Sequence, residues 1–462
     1  MRHSSHRDFG LIRQQPALPQ RRATTLQRWR WPGFLACALA LQALLLATPG
    51  YLSHDELQWG AFASVPWREL PFVSFLDWKT FQFRPLTFNA WLLLSHALFD
   101  SPRLFHALFA LLGAVNGVLL AITLRRAGSR DGVAFVAGLV FVASPFAAWV
   151  HGWVGCLGDL LWVGFALALA IALQGAVSEA RAFVIAALCT ALGLLAKEAA
   201  LSIPALLVLS AWLRRGPRAG WFAALGSGAI ALAYLGLRLP VLLQADPDSY
   251  YALQPWGAPL RGFEYFVFPW ALNVDEAGVL ALRPPSQRLV FALPALLLLA
   301  LLWRAAPKLA FAWIAGGVLA LAPVLPLPAS ANQYGYGFAA LTCGLAALAW
   351  PRLQRRGRIA LATLALIAAV HGWQIQRNVW MTGQLQSVFT PSLAQAAQAQ
   401  PAGAIRLWPM DAGQRPIYQR LSERIPSWRG IALGERIGMA RQRDEATHLV
   451  APDGVVREVA SP

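Results

Sequence analysis

The sequence predicts an all-α integral membrane protein of about eleven transmembrane helices, with a long first outer loop carrying interfacial helices and a C-terminal outer tail. Three observations predict it. Hydrophobic residues make up 57% of the chain and charged residues only 13%, too little polar surface to cover a soluble protein of this length. Apolar runs that cross or nearly cross a bilayer recur along most of the chain. Basic residues gather in the short loops between alternate runs, as a fixed membrane topology requires.

Residues 1–31 form a basic arm carrying Arg2, Arg7, Arg13, Arg21, Arg22, Arg28 and Arg30. The apolar run from Trp31 to Thr48 follows directly. Its basic region is too long and its cleavage context too poor for a signal peptide. It reads as an uncleaved first span with a cytoplasmic N-terminus. Further apolar runs fall near 104–124, 132–150, 157–176, 182–196, 199–213, 221–243, 288–303, 308–325, 336–351 and 359–375. With about eleven spans, Arg125, Arg126 and Arg130, then Arg181, then Arg214, Arg215 and Arg218, then Arg304 and Lys308, and last Arg352, Arg355, Arg356 and Arg358 all share the side of the N-terminal arm.

That agreement decides the segment 86–99. At about 14 residues it is short for a span, and counting it would reverse every later basic cluster. It reads as a helix lying at the outer membrane face. The transmembrane domain then covers 32–375, with outer loops at 49–103 and 244–287, and residues 376–462 form a soluble outer tail. The arrangement suits a bacterial inner membrane, with the N-terminus cytoplasmic and the C-terminus periplasmic. No internal repeat is visible.

The net charge of +17 belongs to this topology, so nucleic acid is excluded as a partner and the lipid bilayer takes its place. Cys37, Cys156, Cys189 and Cys343 are scattered in or beside apolar stretches and read as small buried hydrophobes. No His/Cys/Asp cluster has metal-ligand spacing, so no metal residue is assigned and no cofactor is certain, although a divalent cation stays open. No phosphate-cradling Gly loop is present.

Ionisable residues at or within a membrane are costly and need a reason. The first outer loop concentrates them: Ser53-His54-Asp55-Glu56, Asp77-Trp78-Lys79 and Phe83-Arg84-Pro85-Leu86. Taken alone, Asp55 and Glu56 read as a solvated helix start, with Asp55 as the cap. His151 reads as interfacial, and Asp159, early in a span, as a structural hydrogen-bond partner or a group lining water. Arg238 and His371 lie near helix ends and read as snorkelling. Asp246, Asp248, Asp275 and Glu276 read as solvated loop carboxylates. Tyr250, Tyr251, Trp256, Tyr265 and Trp270 read as an interfacial belt.

The order of these features changes their weight. After the Asp-Glu pair and the Arg-Pro step come His106, Trp153…Asp159-Leu160-Leu161, then Leu195-Ala196-Lys197-Glu198-Ala199-Ala200-Leu201 with Pro204, and Pro323…Pro326…Pro328…Tyr334-Gly335-Tyr336. This series resembles the GT-C superfamily of membrane glycosyltransferases, and is most similar to its protein O-mannosyltransferase, aminoarabinose transferase and tetratricopeptide-bearing O-mannosyltransferase branch. The resemblance covers residues 31 to about 350. It implies a sugar donor linked to a polyprenyl phosphate, a glycan, lipid or protein acceptor, and inversion at the anomeric centre. It implies that Asp55, with Glu56 beside it, deprotonates the acceptor hydroxyl. Arg84 and Lys197, with Lys79, are expected at the donor phosphate, with Glu198 holding Lys197 in place and His151, Asp159, Tyr334 and Tyr336 as supporting residues.

The sequence departs from that pattern twice. Asn332-Gln333 stand where relatives carry an Arg before the Tyr pair, and Leu157 stands where many carry an Arg two residues before the Asp. Three explanations stay open: a different donor, compensation by Lys79 or Arg261, or a member that has lost activity. Two other classes stay open: a lipid or sugar transporter, against which the lack of a repeat counts, and a non-catalytic relative that keeps the bundle as a binding module.

Overall fold

The computed structural model describes residues 30–215, 217–244, 251–401 and 403–459. The basic arm up to residue 29 lies outside the described residues, as do Asp246, Asp248 and Tyr250. The first apolar run folds as α1 (Arg30–Ala40) and α2 (Ala43–Leu46). Residues 49–103, expected above as the first outer loop, carry α3 (His54–Gly60) and α4 (Pro85–Leu98). There follow α5 (Pro102–Arg126), α6 (Asp131–Val142), α7 (Pro145–Gly152), α8 (Leu157–Ala172), α9 (Glu179–Ala196), α10 (Ser202–Arg214) and α11 (Arg218–Leu242). The second outer loop contains α12 (Ala258–Val267), and α13 (Pro285–Ala305), α14 (Pro307–Leu321), α15 (Tyr336–Ala349) and α16 (Arg355–Ala399) complete the helical part.

The chain is a membrane-embedded helical protein. Every apolar run of the sequence is helical. Among the described residues, six helices are long and apolar enough to cross a membrane, or seven if the bent pair α6–α7 is one span. The expectation of about eleven full spans is met only in part. The shortfall has a physical cause: α10 has 13 residues and α15 has 14, about 20 Å at 1.5 Å per residue, against a core of about 30 Å. The α6–α7 pair bends by 58°. Pro145 cannot continue the helix, and the Ser144 Oγ accepts from the Ala147 N–H to start the next one.

Small residues let the helices approach. Where α9 packs along α11, both helices bury small residues, Ala182 and Ala186 on one and Ala223, Gly226 and Ser227 on the other, and Thr190 Oγ lies 2.6 Å from Ser227 Oγ. Likewise Gly372 of α16 lies so close to the α6–α7 break that a Cβ there would sit 1.9 Å from the Ala143 carbonyl oxygen.

Two expectations change beyond residue 375. The boundary placed there falls inside α16, which runs unbroken to Ala399. Although its upper half is polar in sequence, Val379, Phe389, Leu393 and Ala397 are buried. The chain is also not all-α. Residues 405–458 form a small α/β unit of β1 (Ile405–Pro409), α17 (Arg415–Ser422), β2 (Ser427–Trp428), β3 (Ile431–Ala432), β4 (Ile437–Met439), β5 (His448–Val450) and β6 (Val456–Glu458). Its sheet has the order β4-β1-β5-β6, with β1 parallel to both neighbours and β6 antiparallel to β5. The upper half of α16 is its packing partner: Phe389 meets the Tyr418 ring at 4.8 Å.

Candidate active site

The segment carrying Asp55 is held from several sides. Gly50 crosses α16 at Gly383, where neither position has room for a Cβ. Tyr51 N–H donates to Gln386 Oε1 at 2.9 Å, and His106 Nε2 lies 2.8 Å from the Gly50 carbonyl oxygen. Ser53 then caps α3. Glu56 turns back under that start: its carboxylate accepts from Leu52 N–H at 2.5 Å, Ser53 N–H at 2.9 Å and Val154 N–H at 2.9 Å. Burial pushes the Glu56 carboxyl up to about 8, against those N–H bonds and Arg420, which pull it down.

This separates the acidic pair. Glu56 is 1% exposed and fully engaged, so it fastens α3 to the turn after α7 instead of facing a substrate. Asp55 is neither the cap nor buried; its side chain is 43% exposed, with His54 Nε2 at 3.2 Å. Of the two, Asp55 alone is open to solvent.

The expected cations are each held by a carboxylate, though not in the expected pairing. Arg84 Nε donates to Glu198 Oε2 at 2.7 Å. Burial opposes the charge on Arg84, but Glu198 and the Tyr251 and Tyr334 oxygens outweigh it and hold the guanidinium firmly protonated. Lys197 Nζ instead meets Asp159 Oδ2 at 2.5 Å, with side chains only 7% and 2% exposed, and lies 4.8 Å from the centre of the Tyr334 ring. Lys197 is the extended residue that ends α9, so it and Glu198 point to different sides of the chain. That is why Glu198 serves Arg84 while Asp159 serves Lys197.

Tyr251 joins this group from the second outer loop. Its hydroxyl accepts from Gln82 Nε2 at 2.5 Å and its ring packs on Phe81 at 5.2 Å. Burial raises its hydroxyl pKa; Arg84 opposes that rise, while Glu198 and Asp55 add to it.

Other expected residues lie elsewhere. His151 is buried inside the bundle, with Nδ1 at 2.7 Å from Gln42 Oε1 and Nε2 at 3.0 Å from the Tyr336 hydroxyl, which Asn116 also reaches at 3.2 Å. His151 and Tyr336 therefore belong to a structural polar network. Lys79 is exposed on a turn, over the Trp78 ring at 5.9 Å. Arg261 donates to the Pro328 carbonyl at 2.5 Å, tying the late outer turn down. At the position of the missing Arg, Asn332 accepts from Ala277 N–H at 2.8 Å and donates to the Asp275 carbonyl at 2.7 Å; it joins two outer loops. Among the described residues no group of three or more His, Cys, Asp or Glu could hold a metal ion.

Two residues read as snorkelling do something else. His371 is buried, with Nε2 at 2.9 Å from the Val274 carbonyl oxygen. Arg238, 1% exposed on α11, donates to the carbonyls of Trp78, Thr80 at 2.7 Å and Phe81 at 2.6 Å. It clamps the irregular segment that delivers Arg84. The one available signal was a lone Arg near the end of an apolar helix, a residue that a membrane protein keeps only for a partner.

Below this cluster an apolar cavity of about 810 Å³ runs between α6, α15 and α16, from Arg130 and Trp350 at one end to Phe146 and Pro269 at the other. Its lining includes Phe146, against which Gly335 of the Tyr pair packs, but none of Asp55, Arg84, Lys197 or Tyr251. Compared with known protein families, curated proteins and solved structures, the chain matches none.

Proposed function

We propose that the protein is a membrane glycosyltransferase that moves a sugar from a polyprenyl-phosphate carrier to an acceptor hydroxyl at the outer face. In this reading it has eleven spans, lies in a bacterial inner membrane, and keeps its N-terminus in the cytoplasm. Asp55 takes the acceptor proton as the hydroxyl oxygen attacks the anomeric carbon. The bond from that carbon to the phosphate oxygen breaks, and the polyprenyl phosphate leaves against Arg84 and Lys197. One observation carries the reading: α3, which presents the half-exposed Asp55 carboxylate, packs through Trp59 on Phe88 at 5.6 Å and Trp91 at 4.5 Å of α4, the helix that Arg84 precedes. The apolar cavity supports it, as a lipid chain needs such a path through the bundle. No nucleotide-binding loop competes with a lipid-linked donor.

A second reading has its own observation. Arg84 and Lys197 are both already neutralised by carboxylates, which suits a binding module that holds an anionic lipid weakly and transfers nothing. Glycolipid and glycoprotein profiling of a deletion strain separates the two. A sugar modification that disappears on deletion and returns with wild type supports the transferase. An unchanged profile, with retained binding of a polyprenyl phosphate, supports the binding module.

A further inference from the structure

The C-terminal α/β unit touches the helical part at one unusual point. Arg420 of α17 lies 5.6 Å from the centre of the Trp149 ring and 5.3 Å from that of Trp153. Its Nη1 is 3.5 Å from Glu276 Oε1 in the second outer loop. Trp153 immediately precedes Val154, whose N–H holds the Glu56 carboxylate from the other side. A guanidinium over aromatic faces is held by both charge and packing. One further contact brings the unit to the same place: Trp428 packs at 5.7 Å on Phe99, which in turn stacks on Tyr51 at 4.6 Å, just before the Asp55 segment.

We propose that Arg420 is a positioning residue: seated on Trp149 and Trp153 and tied to Glu276, it fastens the C-terminal unit onto the turn that holds Glu56 and thereby fixes the start of α3. The unit is then part of the scaffold of the outer site and no appendage to it. The geometry of α3 depends on Arg420 whatever reaction occurs there. Only the consequence for turnover rests on the transferase reading.

Hydrogen exchange on the full-length protein in lipid nanodiscs tests this without an activity assay. Arg420→Gln removes the charge and the ring contact, and exchange of amides in residues 52–60 and 153–157 is expected to rise about tenfold. Arg420→Lys, which keeps a cation over the rings, is expected to fall between wild type and Gln, and it serves alone if the Gln protein does not fold. Faster exchange confined to residues 415–422 would overturn the proposal, because Arg420 would then hold only its own helix. Turnover is scored separately: exchange that rises in 52–60 while no transfer is found in wild type leaves the positioning role standing and removes the transferase.

Discussion

Glu56 and Asp55 are neighbours with opposite fates, and the difference is measurable. A carboxyl whose folded pKa is raised stabilises the fold fully below its ordinary value of 4.5, and that contribution is lost as pH rises through about 8. The melting temperature of the wild-type protein is therefore expected to fall between pH 5 and pH 9 more steeply than that of Glu56→Gln. Equal slopes would contradict this account of Glu56. The Lys197–Asp159 pair gives a second test. Asp159→Asn leaves a buried ammonium without its counter-charge and is expected to cost about 3–5 kcal/mol of stability. The double variant Asp159→Asn, Lys197→Met is expected to regain most of that loss, and a chemical denaturation series on wild type, the two single variants and the double variant measures it. An additive result would mean that the pair is not coupled. The residue types of this site were legible in the sequence, but their partners were not. Lys197 and Glu198 are adjacent in the chain and pair with Asp159 and Arg84, which lie far from them in sequence.

At the scale of elements, α11 and the first outer loop act together. Arg238 satisfies the carbonyls of three loop residues at once, and the Arg84 side chain follows within a few residues. Arg238→Met keeps an apolar stem of similar length and removes the donors. Limited proteolysis between residues 77 and 84 is expected to quicken by at least about tenfold, with the bundle intact. An unchanged cleavage rate would show that the loop is held by other contacts. Helix positions were legible, because each apolar run is long and bounded by Arg, Pro or Gly. Helix ends were not, as α16 shows: its residues beyond 375 are polar, and only burial of Phe389 and Leu393 against the C-terminal unit keeps them helical. The strands of that unit are two to five residues long, too short for an alternating pattern to stand out.

As a whole, the molecule brings polar chemistry to one end of an apolar bundle. Loops from three parts of the chain converge there: the first supplies Asp55 and Arg84, the second Tyr251, and the α9 end Lys197 and Glu198. The C-terminal unit docks beside them through Arg420. The sequence expected Asp55, Arg84 and Lys197 in one site with His151 and Tyr336 in support; His151 and Tyr336 instead lie inside the bundle, where the turn between α1 and α2 meets α5, α7 and α15. The sequence also had no means of finding Arg420, which works only through a contact between two units. The central claim is that Asp55 acts as the base. Its most direct test is turnover by purified protein in nanodiscs, supplied with a panel of polyprenyl-phosphate-linked sugars and candidate acceptors, for wild type and Asp55→Asn. The account predicts transfer by wild type and a loss of about 10²–10⁴-fold in kcat for Asp55→Asn, with donor affinity retained. Transfer by Asp55→Asn at the wild-type rate would contradict it.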